Sequence, residues 1–171
     1  LPGVGENLQD HLDYISSYTS DSRDTIGTSA SGLLKLTFEA IKYLFTRKGM
    51  LSSSIAEGGA FLKTDPKLEI PDIQLHFAAG LVDDHGRNEN KGHGYSCHVC
   101  VLRPKSAGTV KLRSNNPFDA PLIDPKFLSN EDDLAVLIKG AKIMRNILEG
   151  GEFDSVQTGK LSQVDIADDK G

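Results

Sequence analysis

The chain has 171 residues, 38% of them apolar and 25% charged, a composition typical of one globular domain and unlike that of disordered or fibrous proteins. Its 19 basic and 24 acidic residues are spread along the sequence and leave a net charge of −5, which argues against nucleic acid or anionic lipid as a partner. Two cysteines exclude a disulfide scaffold, and no apolar run approaches the roughly 20 residues that span a bilayer.

The N-terminal residues predict a loop followed by a strand. Residues 1–11 carry two glycines and a run of polar side chains, and no initiator methionine precedes them, so we expect a segment of a longer protein. Residues 12–19 alternate, with Leu12, Tyr14, Ser16 and Tyr18 on one side and Asp13, Ile15, Ser17 and Thr19 on the other. This alternation predicts the first strand, and the polar residues 21–31 predict a surface linker.

Residues 32–48 predict an amphipathic helix. Apolar residues recur at the helical spacing of three and four, at Leu34, Phe38, Ile41 and Phe45, joined by Leu33 and Leu44. Arg47 and Lys48 suit the negative end of the helix dipole, and Gly49 is expected to take the left-handed position that ends the helix. We expect the apolar stripe to cover a sheet.

Two further strands are expected after this helix. Within residues 55–62, Glu57 precedes Gly58 and Gly59, and adjacent glycines in a strand pattern indicate a bulge or the close approach of another group. Residues 72–77 alternate again, with Ile73, Leu75 and Phe77 inward and Gln74 and His76 on the opposite face.

The stretch from 92 to 112 predicts a hairpin at the centre of the sheet. Its first half alternates, with Tyr95, Cys97, Val99 and Val101 on one side and Ser96, His98, Cys100 and Leu102 on the other. Pro104 cannot donate to a strand ladder, and Gly108 suits a turn. We therefore expect the chain to reverse and pair residues 109–112 with the preceding strand.

The C-terminal third predicts a second helix and a loose tail. Three prolines make residues 114–125 extended but irregular. Ser129 and Asp132 fit a capping box, and the helical stripe consists of Leu134, Leu137, Ile138, Ala141 and Leu148. Residues 151–171 have few large apolar side chains and are expected to be loosely ordered. The predicted fold is α+β, a mostly antiparallel sheet with flanking helices.

Cysteine and histidine spacing does not indicate a metal site. Cys97 and Cys100 have C-x-x-C spacing, but three residues apart on a strand their sulfur atoms point to opposite faces. We therefore expect two buried, unbridged cysteines. The five histidines, His11, His76, His85, His93 and His98, form no helical H-x-x-x-H pair.

Three side chains remain as candidates for function. His76 and His98 each lie on the side of a predicted strand opposite the apolar set, where a histidine serves either in a site or as a hydrogen-bonded sheet residue. Glu57 stands beside two glycines in a predicted strand, although such a carboxylate is usually only solvated. No G-x-S-x-G elbow and no phosphate-binding G-x-x-x-x-G-K occurs.

Five segments in order resemble one family, the glucose-methanol-choline (GMC) oxidoreductases, flavoenzymes that oxidise alcohols with FAD. They are Leu1-Pro-Gly-Val-Gly-Glu-Asn-Leu-Gln-Asp-His11, Gly49-Met-Leu-Ser with Ala56-Glu-Gly-Gly-Ala-Phe61, Pro71-Asp-Ile-Gln-Leu-His-Phe77, Arg103-Pro-Lys-Ser-Ala-Gly108 and Pro121-Leu-Ile-Asp-Pro125. The resemblance extends to about residue 150 and is strongest to bacterial members acting on aliphatic alcohols, often labelled choline dehydrogenase-like.

The resemblance implies a division of the chain. Residues 1–11 would leave the FAD domain, residues 12–150 would form the substrate-binding domain, and residues 151–171 would be the tail. In the family the Gly-x-Gly-x-x-Gly motif lies upstream of this chain and the catalytic histidine downstream. The chain alone is therefore expected to be inactive and to bind no FAD, and no catalytic residue is assigned within it.

The resemblance also implies site residues and partners. Glu57 and His76 would line the substrate cavity, and the segment near the cofactor would contribute Gly3, Val4, Gly5, Asn7 and Leu8. The expected partners are a small alcohol and the FAD domain of the same protein. The expected location is the cytoplasm, with peripheral attachment at the inner membrane as an alternative. A non-catalytic binding domain is the rival function.

Overall fold

The computed structural model describes residues 1–22, 24–27, 29–82 and 92–161. In these ranges the chain forms two antiparallel sheets and two long helices, which confirms the predicted α+β fold. The strands are β1 Glu6–Leu8, β2 Asp13–Thr19, β3 Ala56–Leu62, β4 Ile73–Ala78, β5 Gly94–Val101, β6 Gly108–Lys111, β7 Leu122–Asp124 and β8 Gly159–Leu161. The helices are α1 Ala30–Thr46 and α2 Glu131–Leu148, with short 3₁₀ turns at Met50–Ser52 and Gly151–Phe153.

The larger sheet has five strands in the order β3-β4-β5-β2-β8, and β5 lies at its centre. Val99 on β5 is paired with Leu75 on β4 and with Tyr14 on β2. The predicted alternation of β5 is confirmed, because Tyr95, Cys97 and Val99 belong to the buried core. β5 is therefore the strand around which the sheet is assembled.

The predicted hairpin between residues 92 and 112 is wrong. β6 does not pair with β5 but lies between β1 and β7 in a separate sheet of three strands. The reason is that both edges of β5 are already occupied, by β2 and β4, so no ladder position remains for β6. The proline-containing stretch 114–125 supplies β7, so it is more regular than expected.

Helix α2 covers one face of the larger sheet. The core between them contains Tyr18, Ile73, Leu75, Tyr95, Cys97, Val99, Ala141, Met144 and Leu148. Aromatic rings extend this core, since the Tyr95 centroid lies 5.5 Å from that of Tyr18 and 5.2 Å from that of Phe153. The buried stripe of α2 is rotated from the predicted one, because Leu134 is 42% exposed while Gly140 and Met144 are buried.

A glycine allows α2 to approach the sheet closely. A Cβ atom at Gly140 would lie 2.9 Å from Val99 Cγ2 and 3.2 Å from Ile73 Cγ2. We expect Gly140→Ala to lose about 1 kcal/mol of stability even though alanine gains roughly as much in helix propensity. Gly140→Val should lose more, and equilibrium urea unfolding of both variants checks this. Stabilisation by alanine would show that the helix moves away from the sheet without cost.

The N-terminus of α2 ties the helix to the loop before β6. Asn130 caps the helix by accepting from the backbone N of Asp132, so the predicted capping box at Ser129 is wrong. The buried Asp133 carboxylate accepts from Lys105 N and Ser106 N, both at 2.8 Å. Burial alone would raise the pKa of Asp133, but these hydrogen bonds outweigh it and hold the pKa below its ordinary value.

Helix α1 is turned the opposite way from the prediction. The residues of its apolar stripe are all largely exposed, at 66% for Leu33, 60% for Leu34, 64% for Phe38, 49% for Ile41, 66% for Leu44 and 86% for Phe45. The helix begins at the cap Ser29 and ends at Arg47, which takes the left-handed conformation expected of Gly49. No helix in the described part of the chain is long and apolar enough to cross a membrane.

The predicted loose tail is wrong for residues 151–161. Phe153 packs against the aromatic core, and β8 pairs with β2, where Tyr18 faces Lys160. Lys160 Nζ also donates to Glu149 Oε1 at 2.5 Å, and Tyr18 donates to the same carboxylate oxygen at 3.2 Å. Residues 162–171 lie outside the described ranges.

Candidate functional site: the polar sheet face

The side of the larger sheet opposite α2 carries most of its polar residues. Cross-strand register places on this side Asp13, Ile15 and Ser17 of β2, Ser96, His98 and Cys100 of β5, and Gln74, His76 and Ala78 of β4. We call this surface the polar sheet face. It results from strict alternation, since the intervening residues point into the core under α2.

His76 lies in the middle of β4 on the polar sheet face, as predicted. It is paired with His98 on β5 and with Gly59 on β3. The ring is partly buried, and Gly59 adds no side chain beside it. Directly opposed residues on antiparallel strands have Cβ atoms about 5 Å apart, so the two imidazoles are immediate neighbours.

His98 is held by a carboxylate from the other neighbouring strand. Its Nδ1 lies 2.6 Å from Asp13 Oδ2, and the side chains are 17% and 26% exposed. A carboxylate only accepts hydrogen bonds, so Nδ1 carries the proton and Nε2 is the ring atom left to accept one when the ring is neutral. Asp13 thus fixes both the orientation and the tautomer of His98.

The two cysteines lie on opposite faces of β5 and are unbridged, as predicted. Cys97 is in the core, and burial raises the pKa of its thiol to about 11. Cys100 is on the polar sheet face, where its Sγ lies 3.7 Å from His11 Nδ1, and its pKa is raised by burial and by the charge of Asp13.

These raised pKa values predict slow thiol chemistry in the folded protein. At about pH 8 a thiol of pKa about 11 has on the order of 100-fold less thiolate than one at its ordinary value of 9.0. Both cysteines should therefore resist a thiol reagent until urea unfolds the chain, after which both should react.

Because the folded-state pKa of Cys97 is raised, its contribution to folding stability is complete below pH 9.0 and is lost as the pH rises towards 11. Rapid labelling of the native protein would contradict this burial.

Glu57 lies apart from His76. It is exposed and sits where the register of β3 shifts between Ala56 and Gly58, so the predicted bulge is confirmed. It lines a cavity of about 210 Å³ together with Asp24, Ile26, Met50, Ser53, Ile55 and Ala79. His76 does not line that cavity, and in the described ranges no hydrogen bond or ion pair joins the two side chains.

The N-terminal segment lies in the smaller sheet. Asn7 and Leu8 belong to β1, which pairs with β6, while Gly3 and Val4 precede it, and Val4 is 77% exposed. Gly3 has open space where a Cβ would stand. Gly5 is required by the sheet itself, because a Cβ there would lie 2.0 Å from the carbonyl oxygen of Val110.

Asp13 is the residue of the polar sheet face that sequence reasoning did not single out. The alternation of residues 12–19 did place it on the side of Ile15 and Ser17. What the pattern lacked was the pairing of β2 with β5, which brings Asp13 and His98 together across 85 positions. A carboxylate near the start of a half-buried strand was the available signal.

Comparison with known proteins gives consistent similarities. Residues 104–170 match the family described as GMC oxidoreductase. The alcohol dehydrogenase [acceptor] of Pseudomonas putida is 44% identical over 149 residues, covering 87% of this chain and 27% of that protein. The oxygen-dependent choline dehydrogenase of Staphylococcus aureus strain Newman is 31% identical over 162 residues, covering 95% of this chain and 28% of that protein.

Solved structures share the fold. A formate oxidase of Aspergillus oryzae RIB40, studied for modification of its FAD, has a TM-score of 0.80 at 21% identity over 97% of this chain and 34% of that chain. A pyridoxine 4-oxidase has a TM-score of 0.71 at 20% identity, over 97% of this chain and 29% of its own. The chain therefore spans about a quarter to a third of the proteins it resembles.

Proposed function

We propose that the full-length protein is an FAD-dependent oxidoreductase of primary alcohols and that this chain forms its substrate-binding part, since residues 104–170 match the GMC oxidoreductase family and a relative named alcohol dehydrogenase is 44% identical over 149 residues. The names of two relatives, an alcohol dehydrogenase and a choline dehydrogenase, support an alcohol substrate. The observation that carries the proposal is the polar sheet face, where His76 and the Asp13–His98 pair stand together on a sheet whose other side is filled by the core.

The described residues fit only the edge of a flavin site. The open space at Gly3 and the exposed Val4 would allow residues 3–8 to lie along the cofactor. No Gly-x-Gly-x-x-Gly turn occurs in the sequence, so the FAD pyrophosphate would be held by residues outside this chain. Bound flavin would supply the hydride acceptor for the carbinol carbon.

The residues of this chain would bind and orient the alcohol. His76 would hold the hydroxyl oxygen by a hydrogen bond, and a base outside the chain would take the hydroxyl proton. The carboxylate of Glu57 would line the approach to the site, and its charge would favour a cationic alcohol over a neutral one. We also propose a cytoplasmic location, with peripheral attachment at the inner membrane as the alternative.

The test is anaerobic reduction of the full-length protein by alcohols. We expect the purified protein to carry FAD and its visible absorbance to bleach on adding a primary alcohol or choline. Flavin that stays oxidised with both kinds of alcohol would contradict the proposal. A gene without an upstream Gly-x-Gly-x-x-Gly motif and a downstream histidine motif would instead favour a non-catalytic binding domain.

A further inference from the structure

We propose that His98, held by Asp13, is a second substrate-binding residue beside His76, and that Asp13 acts as its positioning residue. The inference rests on the proposed function, since it assigns the polar end of the alcohol to a pair of histidines rather than to His76 alone. It concerns two side chains contributed by β2 and β5, whereas His76 is contributed by β4.

The direction of the His98 ring follows from its contact with Asp13. Nδ1 points to β2, where it lies 2.6 Å from Asp13 Oδ2. The two nitrogens of an imidazole point to opposite sides of the ring, so Nε2 points away from β2. His76 lies on β4, the strand at the other side of β5. The unpaired nitrogen of His98 is thus on the side that carries His76.

Apart from the contact of His98 Nδ1 with Asp13, neither histidine ring satisfies another polar group among the described residues of this face. In residues 1–22, 24–27, 29–82 and 92–161, no hydrogen bond reaches His98 Nε2 or the ring of His76. The ring nitrogens of these two residues are also absent from the fully buried atoms that lack a partner in these ranges. Two partly buried imidazoles side by side therefore offer two hydrogen-bonding atoms to one small polar group. In the bound alcohol the hydroxyl oxygen would accept from His76, and the hydroxyl hydrogen would be held by His98 Nε2 until the base outside this chain takes that proton.

The Asp13 carboxylate restricts the His98 ring to one tautomer and one orientation. A histidine without a partner exchanges its proton between two nitrogens and rotates about two bonds, whereas Asp13 selects the form in which Nε2 accepts. The residue opposite His98 on β2 is Ile15, which offers no competing hydrogen bond. On β3 the residue opposite His76 is Gly59, which places no side chain beside the pair.

The test uses Asp13→Asn in the full-length protein. Asparagine has the shape of aspartate, but its amide donates to Nδ1 as well as accepting from it, so it allows the wrong tautomer. We expect kcat/KM for a primary alcohol to fall about 10- to 100-fold, with flavin content and melting temperature unchanged. Asp65→Asn, the same change in the exposed turn after β3, should leave kcat/KM at the wild-type value.

A double-mutant cycle separates positioning from a purely structural role. His98→Gln should lower kcat/KM by a similar factor, and the double variant should be no worse than His98→Gln alone, because Asp13 acts only through His98. Multiplicative losses, or single variants within about twofold of wild type, would overturn the inference, whereas a loss of kcat/KM in a separate His76→Ala variant would still support the proposed function. A wild-type protein that oxidises no alcohol would contradict both this inference and the proposed function.

A measurement on the wild-type protein tests the assignment without variants that could misfold. In the wild-type protein labelled with ¹⁵N-histidine, the neutral form of the His98 ring should carry its proton on Nδ1 and leave Nε2 bare. Adding trifluoroethanol, an alcohol that resists oxidation, should shift the Nε2 resonance. The opposite tautomer, or no shift at saturating alcohol, would overturn the assignment.

Discussion

Replacing His76 by alanine in the full-length protein is expected to lower kcat/KM for a primary alcohol by about 10- to 1,000-fold, or roughly 1.4 to 4 kcal/mol of transition-state stabilisation. His76 lies at the centre of the polar sheet face, next to His98 and beside the side-chain-free Gly59. A residue that orients and polarises the alcohol should matter less than the base itself. Steady-state kinetics per bound flavin measure the effect.

A second histidine provides the matched control. His93 Nε2 lies 2.8 Å from Ser29 Oγ and its ring also contacts Thr25, so it holds the segment before α1 and has no place on the polar sheet face. His93→Ala should lower the melting temperature and leave turnover per flavin near wild type. If His76→Ala behaves like His93→Ala, His76 is a packing residue and leaves the candidate site.

Asp133→Ala is expected to cost about 3 kcal/mol of folding free energy. The substitution leaves Lys105 N and Ser106 N without their acceptor, in a place where Ser106 is only 5% exposed. Equilibrium unfolding in urea measures the loss. The folded-state pKa of Asp133 is lowered, so its stabilisation is present above the ordinary value of 3.8 and is lost as the pH falls through the folded-state pKa. The wild-type advantage over Asp133→Asn should therefore shrink in acid.

The neighbouring Asp132 is the control for this prediction. It also lies in the first turn of α2, and its Oδ2 pairs with Lys105 Nζ at 2.6 Å, but both side chains are more than half exposed. An exposed ion pair contributes about 0 to 1 kcal/mol, so Asp132→Ala should cost little. Equal losses from the two variants would mean that helix-dipole charge, and not the buried hydrogen bonds, carries the effect.

Local patterns predicted the elements better than their partners. Alternation in β2, β4 and β5 correctly separated the core residues from His76 and His98, because a period of two is imposed on each strand by its own backbone. The spacing of apolar residues likewise located both helices to within a few residues. The hairpin failed because the choice of strand partner is decided by competition between distant segments, here β2 and β4 against β6.

The candidate site was predictable only in part for the same reason. His76 and His98 were marked by their own strands, whereas the contact of His98 with Asp13 depends on the register between strands far apart in sequence. The start of α2 failed locally, because Ser129 and Asn130 are both good capping residues and the choice between them depends on where the buried Asp133 must meet Lys105 N.

The exposed apolar stripe of α1 is expected to make this chain surface-active. Transferring a leucine or phenylalanine side chain out of water is worth about 1.5 to 3 kcal/mol, so a helix exposing several of them lowers its free energy at any boundary between water and a less polar phase. Air bubbles, plastic walls and detergent micelles all offer such a boundary. The 171 residues purified alone should therefore foam and adsorb to plastic walls, so that protein is lost from dilute solutions. Replacing Leu34, Phe38 and Phe45 by glutamine should keep the protein in solution at little cost to the stability of the fold.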